Sequence, residues 1–181
     1  YLKDLKTIIN MKTYTTMNKD SLKLERIVME VFGGCNYTCQ MCPQSSPGRG
    51  KSWTRKMPLS EFERILDEIV PKYGTPQVNL EGSGEPTMAK DLDKYVSIVK
   101  KRNLKCFMYC NGARLNGEFM QRVVDAGIDF IRISVIGYNR ELYKKWMNID
   151  NFELIKKNII ELKNYIKKTG SRCNVSTYHL I

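Results

Sequence analysis

Residues 24–43 read Leu24-Glu25-Arg26-Ile27-Val28-Met29-Glu30-Val31-Phe32-Gly33-Gly34-Cys35-Asn36-Tyr37-Thr38-Cys39-Gln40-Met41-Cys42-Pro43. Leu24 to Phe32 is a β-branched run of strand length. Two glycines then loosen the chain into a loop whose cysteines follow C-x3-C-x2-C spacing. Thiolates this close in sequence can converge on one small inorganic centre, and three is the informative number. A structural zinc wants four ligands and disulfides want pairs, whereas a four-iron cluster on three cysteines keeps one iron open to a ligand from outside the protein.

Outward from this loop the chain alternates. Gln44 to Ser52 is rich in turn formers and basic residues, and reads as a mobile lid or an ordinary solvated connection. Ser60 and Glu63 have capping-box spacing before a helix with Phe62, Ile65, Leu66, Ile69 and Val70 on one face, running to about Lys72. Gln77–Leu80 is a short strand, with Leu92, Tyr95, Val96 and Val99 marking the helix after it. Leu104–Cys110, the Asn111-Gly112 turn and the Phe119–Val124 helix repeat the unit. Asp129–Ile136 is a fourth strand, Phe152–Ile166 a long helix and Cys173–Ile181 a fifth strand. Five strands alternating with four helices predict an α/β fold with a parallel sheet and right-handed crossovers, curved into a barrel or doubly wound. The cysteine loop, Gly82–Pro86, Asn111 and Ser134–Gly137 all follow the C-terminal ends of strands, the rim on which barrel enzymes build their sites.

Cys35, Cys39 and Cys42, with the apolar Met41 before the last of them, resemble the signature of the radical S-adenosylmethionine (radical SAM) enzymes. The likeness extends over roughly residues 24 to 181, because three later segments fall in register. It implies a partial (β/α)6 TIM-like barrel, apparently truncated after the fifth strand. It also implies a [4Fe-4S] cluster on the three cysteines whose open iron chelates the methionine end of S-adenosylmethionine; reductive cleavage then gives a 5′-deoxyadenosyl radical that abstracts a substrate hydrogen. Gly82-Ser83-Gly84-Glu85-Pro86 resembles the family's Gly-Gly-Glu-Pro segment, with Ser83 in place of a glycine, and is expected to hold the cofactor's amino group. Asn111 and Ser134 resemble positions that bond its ribose or carboxylate, although Asn111 alone also reads as a turn former. Met41 is expected to pack on the adenine, with Tyr37 the weaker choice for that wall. Two departures stand out: Ile136 replaces a common acid, and Met147 replaces a common arginine, for which Lys144 or Lys145 could compensate.

The proline after Cys42, the Ser-Gly-Glu-Pro loop and the Asn151-Phe152-Glu153 helix start look most like the SPASM-type subgroup, whose members modify peptides or proteins. Modification of a small metabolite such as a nucleotide or sugar is the alternative. A non-catalytic iron–sulfur electron carrier is a further one, but it would want a fourth cysteine nearby.

Length and composition agree with one domain, residues 23–181, behind an N-terminal extension, 1–22, of weak periodicity. The chain has 181 residues, 42% apolar and 27% charged, enough for a core. No stretch reaches the roughly 18 apolar residues of a membrane span. A cytoplasmic setting is therefore expected, with reduced thiols and no membrane partner. The net charge of +11 would suit nucleic acid, but no binding motif accompanies it. Lys156, Lys157, Lys163, Lys167 and Lys168 read as the solvated face of one helix. A basic surface near the cluster, including Arg49, Lys51, Arg55 and Lys56, fits an acidic electron donor such as flavodoxin or ferredoxin. Cys106, Cys110, Cys173 and His179 carry no assigned chemistry.

Overall fold

In the computed structural model, which describes residues 23–45 and 54–179, five parallel strands form one sheet in the order of the sequence. They are β1 (Arg26–Val28), β2 (Gln77–Leu80), β3 (Cys106–Cys110), β4 (Phe130–Ser134) and β5 (Asn174–Tyr178). The helices are α1 (Leu59–Tyr73), α2 (Leu92–Lys101), α3 (Gly117–Asp125), α4 (Arg140–Met147) and α5 (Phe152–Thr169). Sequential strand order settles the choice left open by the sequence. A doubly wound sheet reverses its order partway, whereas here each neighbour pair is consecutive, as in a barrel wall. The five strands remain an open sheet, the partial TIM-like form.

The helices pack as a continuous layer, α1 on α2, α2 on α3 and α3 on α5. They cover the sheet face that carries Val78, Leu80, Met108, Ile131 and Ile133, none of which retains measurable exposure. Phe62 of α1 meets Tyr95 of α2 edge-on, ring centroids 5.1 Å apart, and the Tyr95 hydroxyl donates to the Met57 carbonyl. The lysines of α5 face solvent as expected. No helix among the described residues is long and apolar enough to cross a membrane.

Three expectations are corrected. The Ser60/Glu63 capping box does not form, because the N-cap lies two residues earlier: Pro58 is the N-cap without a side-chain bond, and Phe62 N–H already donates to the Pro58 carbonyl at 3.0 Å. The first strand is shorter than Leu24–Phe32. Residues 31–33 turn instead to the chain returning from the cysteine loop, with Met57 N–H donating to Val31 O (3.0 Å), Gly33 N–H to Arg55 O (2.9 Å), and Phe32 bridging Lys56 antiparallel. Finally, five helices are present among the described residues, not four. Helix α4 buries only Tyr143 and Met147, a single i,i+4 pair, so its periodicity is faint. Its caps make up for this: the Asn139 side chain accepts from Leu142 N–H at 2.9 Å, and Asn148 adopts a left-handed φ of 54°. The extension at 1–22, and residues 46–52 of the lid with Arg49 and Lys51, lie outside the described residues. Gln44 and Ser45, also read as lid, belong to a 3-10 turn, Pro43–Ser45.

Candidate functional site

At the C-terminal ends of the strands lies a hollow of about 310 Å³. The cysteine loop forms one wall. Within it, Cys42 N–H donates to Cys39 O at 3.0 Å, the Ser45 hydroxyl to the same carbonyl at 2.8 Å, and the Gln44 amide to Gly33 O at 2.7 Å. Helices α4 and α5 brace it from outside. Gln40 N–H donates to Trp146 O at 2.9 Å, the Asn148 amide to Thr38 Oγ1 at 3.0 Å, and the Tyr37 hydroxyl, 3.2 Å from that of Tyr143, accepts from the Asn151 amide at 2.9 Å. Tyr37 is buried and its hydroxyl is engaged away from the loop's thiols, so it braces the wall as well as lining it.

The opposite wall is Gly82–Pro86, docked directly onto the first. Glu85 N–H donates to Gly34 O at 2.8 Å, and Gly84 N–H to a Glu30 carboxylate oxygen at 2.9 Å. A Cβ on Gly84 would sit 1.8 Å from the Phe32 carbonyl oxygen, so the two loops approach as closely as two backbones can. Glu85 is buried, with Oε1 accepting from Thr87 N–H (3.0 Å) and the Thr87 hydroxyl (2.5 Å), and Oε2 accepting from Asn111 N–H (2.7 Å). Burial pushes its carboxyl above the usual range, against the pull of these donors.

Asn111 joins the walls. Its amide donates to Asn36 Oδ1 at 2.8 Å and points at the Cys35 sulfur at 3.9 Å, while its oxygen accepts from Ala113 N–H at 3.0 Å. The turn beneath it is held from α5, where the buried Asn158 donates to Gly112 O and Ala113 O at 2.9 and 3.1 Å.

Cys35, Cys39, Met41, Cys42, Gly82 and Gly84 therefore share one hollow with Glu85, Asn111 and Ser134. Ser83 is exposed and Pro86 is buried as the first residue of a 3-10 turn; neither lines the hollow. Sequence reasoning did not assign Glu81, Tyr109 or Tyr178 to it. Parity could have found the tyrosines, since Tyr109 precedes Asn111 by two on one strand face and Tyr178 pairs with Ser134. Ile136 and Met147 also line it, with the Met147 sulfur 3.8 Å from that of Cys39. Lys144 and Lys145 do not compensate for Met147; they line a separate hollow with Gln40, Glu141, Asn148 and Ile149. Cys106, Cys110 and Cys173 are buried, Cys110 at the edge of the hollow, and His179 is exposed beside Thr177.

The three thiols are partly exposed to the hollow. Burial raises the Cys35 thiol, and burial together with the neighbouring Cys35 and Cys42 pushes Cys39 up to about 11. The thiols thus feel one another's charge around a common space, and three of them are one short of the four ligands of a structural zinc, the number that suits a cluster with an open iron.

The chain matches the Radical SAM superfamily over residues 29–180. It is 31% identical over 134 residues to a probable GTP 3′,8-cyclase of Thermococcus kodakarensis, covering 73% of this chain and 41% of that protein. It is 23% identical over 163 residues to an AdoMet-dependent heme synthase of Oleidesulfovibrio alaskensis, covering 90% and 40%. The chain thus spans about two fifths of the length of these curated relatives. Among solved structures, Streptococcus suis SuiB bound to S-adenosylmethionine superposes with a TM-score of 0.64 at 18% identity, over 96% of this chain and 39% of SuiB. BtrN in complex with AdoMet and 2-DOIA gives 0.58 at 18% identity, over 86% of this chain and 56% of BtrN.

Proposed function

Because the chain belongs to the Radical SAM superfamily, we propose that residues 23–181 are the core of a radical SAM enzyme, with its [4Fe-4S] cluster held by Cys35, Cys39 and Cys42. S-adenosylmethionine occupies the same hollow, against Met41, the Gly82–Pro86 loop, Asn111 and Ser134. The observation that carries the reading is the shared hollow itself: three thiols from one short loop, facing a backbone cradle in which a Cβ at Gly84 has no room. Bound together, the two cofactors supply one-electron cleavage of a sulfonium bond and hydrogen abstraction from substrate.

The chain's own residues bind and shield. Gly82 and Gly84 expose backbone to an ammonium group that needs oxygen acceptors. Ser83 and Pro86 act from behind the loop, by shaping it. Glu85 is a positioning residue, because both its oxygens are spent on Thr87 and Asn111. Asn111 in turn fixes the cysteine loop through Asn36, while Ser134 lines the hollow. Ile136 and Met147 present apolar surface there, which keeps water from a reactive centre.

For the substrate, likeness to probable GTP 3′,8-cyclases, the one of Thermococcus kodakarensis at 31% identity, favours a small metabolite such as a nucleotide over a peptide. The likeness to peptide-bound SuiB, at 18% identity, speaks for the fold alone. Electrons come from an acidic carrier such as flavodoxin or ferredoxin, to which the exposed Arg55 offers charge. Lys56 contributes less, since Asp91 holds it at 2.8 Å.

The test is anaerobic reconstitution. Four irons with labile sulfide per chain, an electron paramagnetic resonance signal altered by S-adenosylmethionine, and release of deoxyadenosine are expected. Zinc in place of iron, or a signal indifferent to excess S-adenosylmethionine, would overturn the reading.

A further inference from the structure

The sheet face turned away from the helices mixes polar and aromatic residues. Asn79, Glu81, Tyr109, Arg132 and Ser176 stand on it beside the packed pair Phe107 and Phe130, alternating with the apolar residues under the helices. Arg132, in the middle of β4, lies directly across from Tyr109 on β3 and Ser176 on β5. Its guanidinium carbon is 5.2 Å from the centroid of the Tyr109 ring and 5.5 Å from that of Phe130, and its Nε donates to the Ser176 hydroxyl at 3.3 Å.

What distinguishes this cation is that it is half-buried and yet holds no acid. Arg102, the other half-buried arginine among the described residues, grips Glu63 and Asp67, whereas Arg26, Arg55, Arg114 and Arg172, which also lack an ion pair, are exposed. Among the described residues no carboxylate pairs with Arg132, and its two terminal nitrogens donate to no described residue. The carboxylates on the same face are committed elsewhere, Glu30 to Gly84 N–H and Glu81 to the Asn79 amide at 2.9 Å. A half-buried guanidinium, steadied by two rings and one hydroxyl, therefore leaves its fork of donors available on the sheet face turned away from the helices. The next residue on the same strand face is Ser134, which lines the cofactor hollow. Two residues of strand separate them, about 7 Å. That is the length of a small molecule with one end at the hollow and the other at Arg132.

Building on the radical SAM reading of the hollow, we propose that Arg132 determines specificity by binding an oxyanion of the substrate, a small anionic metabolite lying along the Tyr109–Ser134 face. A phosphate or a carboxylate would satisfy the fork equally. Calorimetric titration of the reconstituted protein with inorganic tripolyphosphate and, separately, with succinate distinguishes the two. At least one should bind the wild type and bind Arg132→Gln about tenfold to a hundredfold more weakly, as expected for a charge-assisted hydrogen-bonded pair. Arg132→Lys, which keeps the charge but not the fork, should fall between. Equal binding by wild type and Arg132→Gln, or no binding of either anion, overturns the proposal. So does an equal loss in the Lys and Gln variants accompanied by an equal drop in melting temperature, which would make the side chain a packing element over its two rings. Iron content and the response to S-adenosylmethionine in the wild type test the hollow separately. Their failure would remove the cofactor reading while the anion titration still decided Arg132.

Discussion

Gly84→Ala is the sharpest test of how the two walls of the hollow meet. The φ of Gly84 is not in the left-handed region, so the substitution is purely a question of space. The new methyl would lie 1.8 Å from the Phe32 carbonyl oxygen and 2.7 Å from the carbonyl carbon of Gly33, where real Cβ contacts essentially never fall below 3.0 Å. Because both obstacles are backbone, one loop must retreat by at least about 1 Å. That retreat lengthens two bonds, Gly84 N–H to the Glu30 carboxylate at 2.9 Å and Glu85 N–H to Gly34 O at 2.8 Å. Losing one neutral and one charge-assisted bond costs roughly 2–4 kcal/mol. Gly82→Ala is the milder comparison: its methyl would meet only the Glu30 side chain, 2.3 Å from Oε2 and 2.7 Å from Cβ, so that side chain must turn away and give up its bond to Gly84 N–H, at a cost of roughly 1.5–3 kcal/mol while the Glu85–Gly34 bond is kept. Denaturant unfolding should rank wild type, Gly82→Ala and Gly84→Ala in that order, and the affinity for S-adenosylmethionine read from the resonance signal should follow. A Gly84→Ala protein with wild-type midpoint and affinity would refute the argument.

Replacing Cys35, Cys39 or Cys42 by Ala should abolish uptake of a full cluster on anaerobic reconstitution, while Cys106→Ala, buried away from the hollow, should keep the wild-type iron count. Arg55→Glu should slow reduction by flavodoxin and leave reduction by dithionite unchanged, with the difference shrinking as salt is added; equal slowing with both donors would exclude a docking role. Burial holds the Glu85 carboxyl above its ordinary range, so folding favours its protonated form. Its contribution is complete below the unfolded value and is lost as pH rises through the raised one, so the stability advantage of wild type over Glu85→Gln should narrow with rising pH across that window. A difference constant from acid to neutral pH would contradict this.

The parts of the fold legible in the sequence are those whose cause is local. Gln77–Leu80 has the expected bounds because Pro76 and Gly82 punctuate it, and α5 starts where expected, with Ile155 and Leu162 a heptad apart on its buried side, although it runs three residues further than expected, to Thr169. What escaped depends on partners distant in the chain. Residues 31–33 have strand composition but pair with 55–57 across the cysteine loop, a choice no window of sequence contains. Helix α4 is fixed less by its own pattern than by caps and by Tyr143 reaching Tyr37. Within the site, residue type located Cys35, Gly84 and Ser134, but it could not show that the Glu85 carboxylate is already consumed by Thr87 and Asn111, because that requires β2 and β3 to be neighbours.

The two departures at Ile136 and Met147 bear on how the hollow discriminates. Its lining holds the carboxylates Glu81 and Glu85 and, among the described residues, no lysine or arginine. On the proposed reading, the carboxylate of a zwitterion there would find only neutral donors among the lining side chains, such as Ser134, Tyr109 and Tyr178, each contributing about 0.5–1.5 kcal/mol rather than the 1.5–3 kcal/mol of a charged partner. The weaker anchoring is offset by apolar contact with Met41, Ile136 and Met147, which is insensitive to salt. Charge recognition moves instead to Arg132, two residues deeper on β4 and free of any carboxylate among the described residues. Separating a rim without cations from a cationic interior would sort two ligands that must be bound at once: the one held largely by shape and backbone stays at the rim, and the anion is drawn past it.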